Sequence, residues 1–196
     1  MPAVIFFFFL VGAVLLSMIG QHFIPPFPAP WFTGARVLLM PVFLFYGALA
    51  MPFSGMLGLA FIAGFFWDAL TLPVVPSLLP GGEPLFEIPL GWSIILYAVL
   101  GSIMNGMRPW FRRGRWEIHC LLSGVFTALI VVAEYLMIAL KRIEESGFLF
   151  PGIVWQRALG SGLAAMLLAP LVFFLLNTVG RLIGFEPHPE RETLRR

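Results

Sequence analysis

The sequence predicts an all-α integral membrane protein, with six transmembrane helices in one compact bundle. Three observations lead there. First, 60% of the 196 residues are hydrophobic and only 11% are charged, whereas a soluble domain carries about a quarter charged residues. Second, the apolar residues come in long blocks rather than in one-sided stripes, the pattern of membrane spans. Third, the blocks are separated by proline-rich or arginine-rich connectors. Trp31, Trp67, Trp92, Trp110, Trp116 and Trp155 fall at or close to block ends, where an amphipathic ring sits best.

The first block, 3–20, has no positive leader segment and no clear small-x-small cleavage site. It reads as a retained span and not as a signal peptide. Its run of four phenylalanines suits a lipid-facing or helix-packing surface. Prolines 25, 26, 28 and 30 then rule out helix, since each lacks an N–H and restricts the residue before it. From 35 to 72 the apolar run is too long for one span, because a helix of that length would reach about 57 Å against a core of about 30 Å. Pro52, Ser54 and Gly55 mark the break. The second and third spans are therefore 36–50 and 53–70, a tight hairpin. The alternative merges or drops the second and leaves five.

The stretch 71–91 holds five prolines and a Gly-Gly pair and is a loop, with Glu83 and Glu87 its charges. The fourth span is 90–107. It leads into RPWFRRGRW, a basic loop with Arg108, Arg112, Arg113 and Arg115. The fifth span is 117–140, and the sixth is 154–183 with Pro170 inside it, where a kink is expected. Residues 1–184 thus form a single transmembrane domain and 185–196 a polar tail. An even number of spans puts both termini on one side. The arginines of the basic loop and of the tail place that side in the cytoplasm.

This topology brings four charges to a common level near the outer surface. Asp68 ends the third span, Glu134 lies near the end of the fifth, Arg157 begins the sixth and Arg36 begins the second. A carboxylate at such depth is costly without a partner, and a guanidinium fork suits one. Asp68 or Glu134, or both, are therefore expected to pair with Arg157, with Arg36 as second candidate. Gly64 lies on the Asp68 face, and Gly160, Ser161 and Ala164 lie beside Arg157, so the helices can approach closely. The cluster reads as a structural clamp, with an outward pocket for a ligand or protein segment, or an ion path, as alternatives. Asn105, His119 and Asn177 lie near the inner ends, within reach of water.

The sequence predicts no catalytic residue, no metal, no cofactor and no nucleic-acid partner. His119 and Ser123 have the spacing of a minimal Ser–His pair but no oxyanion donors. Cys120, the single cysteine, reads as a packing residue. The basic loop sets topology or meets anionic lipid or an acidic partner.

The segment PVFLFYGALAMPFSGMLGLAFIAGFFWDAL, 41–70, resembles the MreD family of the bacterial rod-shape machinery. It has a proline-led span, a tyrosine, a short break, and a glycine-rich span ending in Gly64-x-x-x-Asp68. Pro89-Leu90-Gly91 before the fourth span and the arginine cluster after it fit the same pattern over 36–115. The loop between Asp68 and Gly91 is longer and richer in proline. The resemblance implies a six-helix bundle similar to the substrate-binding subunits of energy-coupling-factor vitamin transporters. It also implies a non-enzymatic scaffold in the bacterial inner membrane. That scaffold would bind MreC and connect MreB filaments to RodA and its penicillin-binding transpeptidase in lateral peptidoglycan synthesis. The competing reading is a vitamin-binding subunit of such a transporter.

Overall fold

The computed structural model of the protein describes residues 1–25, 35–71, 91–108, 116–141 and 152–185. The described secondary structure is six helices: α1 Pro2–His22, α2 Met40–Ala50, α3 Phe53–Thr71, α4 Trp92–Gly106, α5 Trp116–Lys141 and α6 Ile153–Ile183. They alternate in direction. The start of α1 meets the end of α6, where Phe6 stacks on Phe185 at 4.4 Å.

The expectation of six transmembrane helices is corrected. Among the described residues only four helices are long and apolar enough to cross a membrane: Pro2–Gln21, Phe53–Leu70, Glu117–Met137 and Val154–Ile183. These make the chain a multi-pass membrane protein. The second and fourth helices have 11 and 15 residues, or about 17 and 23 Å at 1.5 Å per residue, short of the roughly 30 Å of a hydrocarbon core. The reason for α2 lies in two prolines. Pro41 occupies the first turn, the helical position where its missing N–H and fixed φ do no harm. Arg36 to Leu39, counted as helix from the sequence, instead lead in as non-helical backbone. At the other end Pro52 forces Met51 out of the helical region, to φ −101°, ψ 154°. The start of α4 is set by Gly91, which has φ 99°, a left-handed conformation that glycine adopts without a Cβ penalty.

The shortest helix is the hub. Ten of the 11 residues of α2 are buried, and α2 touches all five other helices. Phe45 packs on Phe126 of α5 and on Phe173 of α6. Around it stand two closely packed pairs, α3 with α4 and α5 with α6. Glycines set both pairs. A Cβ on Gly64 would lie 2.5 Å from Ile94 Cα, so α3 and α4 touch backbone to backbone. Gly124 and Gly162 do the same for α5 and α6, where an added Cβ on either would come within 2.8 Å of the other's carbonyl oxygen. Small residues allow this approach, and lipid-embedded helices associate through such contact. Outward-facing Phe8, Phe61, Val99, Val125, Leu167 and Phe174 are exposed, the apolar belt expected toward lipid. The phenylalanine run divides by helix periodicity, with Phe6 buried and Phe8 exposed. Helix α6 continues through Pro170.

Candidate functional site: polar groups at the ends of the short helices

At the ends of helices α2 and α4, free backbone groups find partners in side chains of the protein. An α-helix leaves four N–H groups and four C=O groups without internal partners, and in hydrocarbon each orphan is expensive. The polar side chains of the bundle converge on these ends.

Asp68 stands 15 residues beyond Phe53, about 23 Å up α3, level with the start of the equally long α4. It is buried, with 4% of its surface exposed. Its Oδ2 accepts the Gly91 N–H at 2.6 Å and the Ser93 N–H at 3.3 Å. Gly91 is the N-cap of α4 and has no side chain to cap with, so Asp68 supplies the cap from the neighbouring helix. A carboxylate there also faces the positive end of the α4 dipole. The Gly64 contact, one turn below, is what brings α4 within reach.

The expected ion pairs are not the pairs found. Asp68, Glu134, Arg36 and Arg157 make no ion pair with one another, and each has another partner. Glu134 accepts a hydrogen bond from the Tyr97 hydroxyl at 3.4 Å and another from the Trp67 indole. Tyr97 is fully buried, so this node joins α3, α4 and α5 in the interior, and Asp68 is near enough for its charge to act on Tyr97 and Glu134. Arg157 lays its guanidinium over the Tyr135 ring, 5.6 Å from the centroid, a cation–π contact. Its Nε has no hydrogen-bond partner. The Arg36 side chain is exposed, and the residue is held through its backbone, whose N–H donates to Ser161 Oγ at 3.2 Å. That bond satisfies the non-helical lead-in to α2, irregular backbone that a membrane protein tolerates only when buried in protein. The physical reason for the difference is that a helix N-terminus offers a carboxylate both charge and donors without stripping water from a guanidinium.

The opposite end mirrors this arrangement. Asn105 Nδ2 donates to the carbonyls of Ala48 and Met51, at 2.9 and 3.3 Å, and Arg108 Nε donates to Ala48 at 3.0 Å. These are the free carbonyls at the C-terminus of α2, where a cation is favoured. Pro52, exposed in the turn, starts α3 by accepting the Met56 N–H at 3.0 Å. Lower in the core the Tyr46 hydroxyl donates to Asn177 Oδ1 at 2.7 Å, tying α2 to α6. Asn105 and Asn177 were expected to face water, and the capping role of Arg108 was missed. The signal was available as unpaired carbonyls at a proline break within an apolar run. Arg112, Arg113 and Arg115 lie outside the described residues.

Ser123 is fully buried and its Oγ has no hydrogen-bond partner, so it forms no dyad with His119. Among the described residues no group of three His, Cys, Asp or Glu is placed to hold a metal ion. Apart from the Pro52–Met56 bond, the polar contacts described above join one helix, or the backbone flanking it, to another.

The chain matches no family model, no curated protein and no solved structure. Within 41–70 the geometry gives two residues a physical role: Gly64 lets α4 approach, and Asp68 caps it.

Proposed function

We propose that the protein is a non-enzymatic scaffold of the bacterial inner membrane, the role that the resemblance to MreD implies. In this reading it binds the bitopic protein MreC and through it links MreB filaments to RodA and its transpeptidase. The observation that carries the reading is the Gly64–Asp68 pair. The most motif-like residues of the chain are used to hold α4 by its backbone N–H groups, a use suited to a rigid docking body. The start of α1 shares an end with Phe185, Arg108 and Arg181, and positive-inside bias favours that end as the cytoplasmic one.

The test is co-production with MreC and purification in mild detergent. A stable complex that survives size-exclusion chromatography supports the scaffold. Recovery of a bound vitamin or an ATPase module instead would replace it with the transporter reading.

A further inference from the structure

We propose that the bundle is hinged: the α3–α4 pair pivots on α2 against the α5–α6 pair, and the Tyr97–Glu134 hydrogen bond is the latch that closes the seam at the Asp68 end. The inference goes beyond the scaffold reading and holds whichever partner the bundle binds.

Each pair is a rigid body. Gly64 sets α3 on α4 backbone to backbone, and Gly124 and Gly162 do the same for α5 and α6. Between the pairs the contact is thinner and runs chiefly along α4 and α5, with α2 as the common support. The two ends of this seam are built differently. At the Pro52 end α2 grips both pairs. Asn105 Nδ2 and Arg108 Nε donate to the Ala48 carbonyl at 2.9 and 3.0 Å, the Tyr46 hydroxyl donates to Asn177 at 2.7 Å, and Phe45 packs on Phe126 and Phe173. At the Asp68 end α2 gives no such support. It begins only at Met40, after a lead-in whose Arg36 N–H already meets Ser161, about two turns into α6.

There the seam is tied by Glu134, which accepts from the Trp67 indole and, at 3.4 Å, from the Tyr97 hydroxyl. A full-strength O–H···O bond measures about 2.7–2.8 Å, so the Tyr97 bond is stretched. The packing of α5 thins at the same level. Phe126, Thr127, Ile130 and Val131 are buried, whereas residues 132–135 are half-buried. Each pair also keeps a buried donor without a hydrogen-bond partner at this end, Trp92 Nε1 on α4 and Arg157 Nε on α6. Unmet donors are a cost of the closed arrangement, and separating the pairs relieves it by admitting water from the interface. Short bonds and stacked rings at one end, with a stretched bond, thin packing and unmet donors at the other, make the Pro52 end the pivot and the Asp68 end the part that moves.

The test measures distances between spin labels on the full chain in lipid nanodiscs, with Cys120→Ala as background. Labels at Ile95 and Leu136 read the Asp68 end, and labels at Ile103 and Ile118 read the Pro52 end; all four residues are exposed. Ile95 lies about 15 Å along α4 from Asn105, so a rotation of about 15° moves it by about 4 Å. The Ile95–Leu136 distance should therefore show a second population about 4 Å longer, and the Ile103–Ile118 distance a single one. Tyr97→Phe removes only the donor hydroxyl and should about double the longer population. Glu134→Leu, which removes the acceptor, should do at least as much, and the double variant should match Glu134→Leu alone, because both act through one bond. An unchanged Ile103–Ile118 distance shows that each variant still folds. A single Ile95–Leu136 distance that neither variant alters overturns the proposal. Spreading at both label pairs, or effects that add in the double variant, overturns it as well.

Discussion

The two ends of the bundle solve one problem with opposite charges. At the Asp68 end, the N-terminus of α4 presents N–H groups, and an acid from α3 accepts them. At the Pro52 end, the C-terminus of α2 presents carbonyls, and the amide of Asn105 in α4 and the guanidinium of Arg108 just beyond it donate to them. In each case the sign of the side chain matches the helix dipole. The ends differ in redundancy. Asp68 alone serves two N–H groups, whereas Asn105 and Arg108 share the Ala48 carbonyl. Loss of one partner should therefore be felt more at the Asp68 end.

Substitutions can break or sharpen this contrast. The largest effect is expected upstream of both caps, at Gly64. Gly64→Leu should prevent α3 and α4 from packing and remove most folded protein, because the obstacle is backbone and cannot swing aside. Gly64→Ala should still cost about 1–3 kcal/mol from overpacking, read as a drop in melting temperature in detergent. Asp68→Leu comes next, since it strands the buried Ser93 N–H at about 1–3 kcal/mol and the half-buried Gly91 N–H at less. Asp68→Asn retains an acceptor and should lose about 1 kcal/mol, the scale of a charge on a helix terminus. Asn105→Leu should cost less than Asp68→Leu, because Arg108 still reaches Ala48. An equal or greater loss would show that the two ends are not buffered differently. The smallest effect is expected at Arg36. Arg36→Ala should change stability by less than about 0.5 kcal/mol, as its exposed side chain is not what holds it. Ser161→Ala, which removes the acceptor for its N–H, should cost about 0.5–1.5 kcal/mol.

The difference between the two ends also explains what the sequence revealed and what it did not. Helix positions were legible within one or two residues for every helix but α2, because long apolar blocks bounded by proline or arginine leave little choice. The importance of Asp68 and Gly64 was legible too, since a lone acid and a small residue one turn apart in an apolar helix stand out. The partner of Asp68 was not legible. Charge is visible along a sequence, so pairing was sought with Arg157 and Arg36, while the donor was the backbone of Gly91 and Ser93, which every sequence possesses. The start of α2 was misplaced for a related reason. The apolar composition of Arg36–Leu39 resembles that of the helix, but Pro41 belongs at a first turn and fixes where helix can begin. The capping roles of Asn105 and Arg108 became visible only once α2 was seen to stop inside the bundle.

The central claim is that a side chain from a neighbouring helix satisfies the buried N-terminus of α4. Amide hydrogen exchange of the protein in lipid nanodiscs tests it directly at Gly91 and Ser93. Both amides should be strongly protected in the native protein, and Asp68→Asn should speed exchange at the start of α4 while leaving α5 and α6 unchanged. Fast exchange at Gly91 and Ser93 in the native protein, or protection that is indifferent to the loss of the carboxylate, would contradict it.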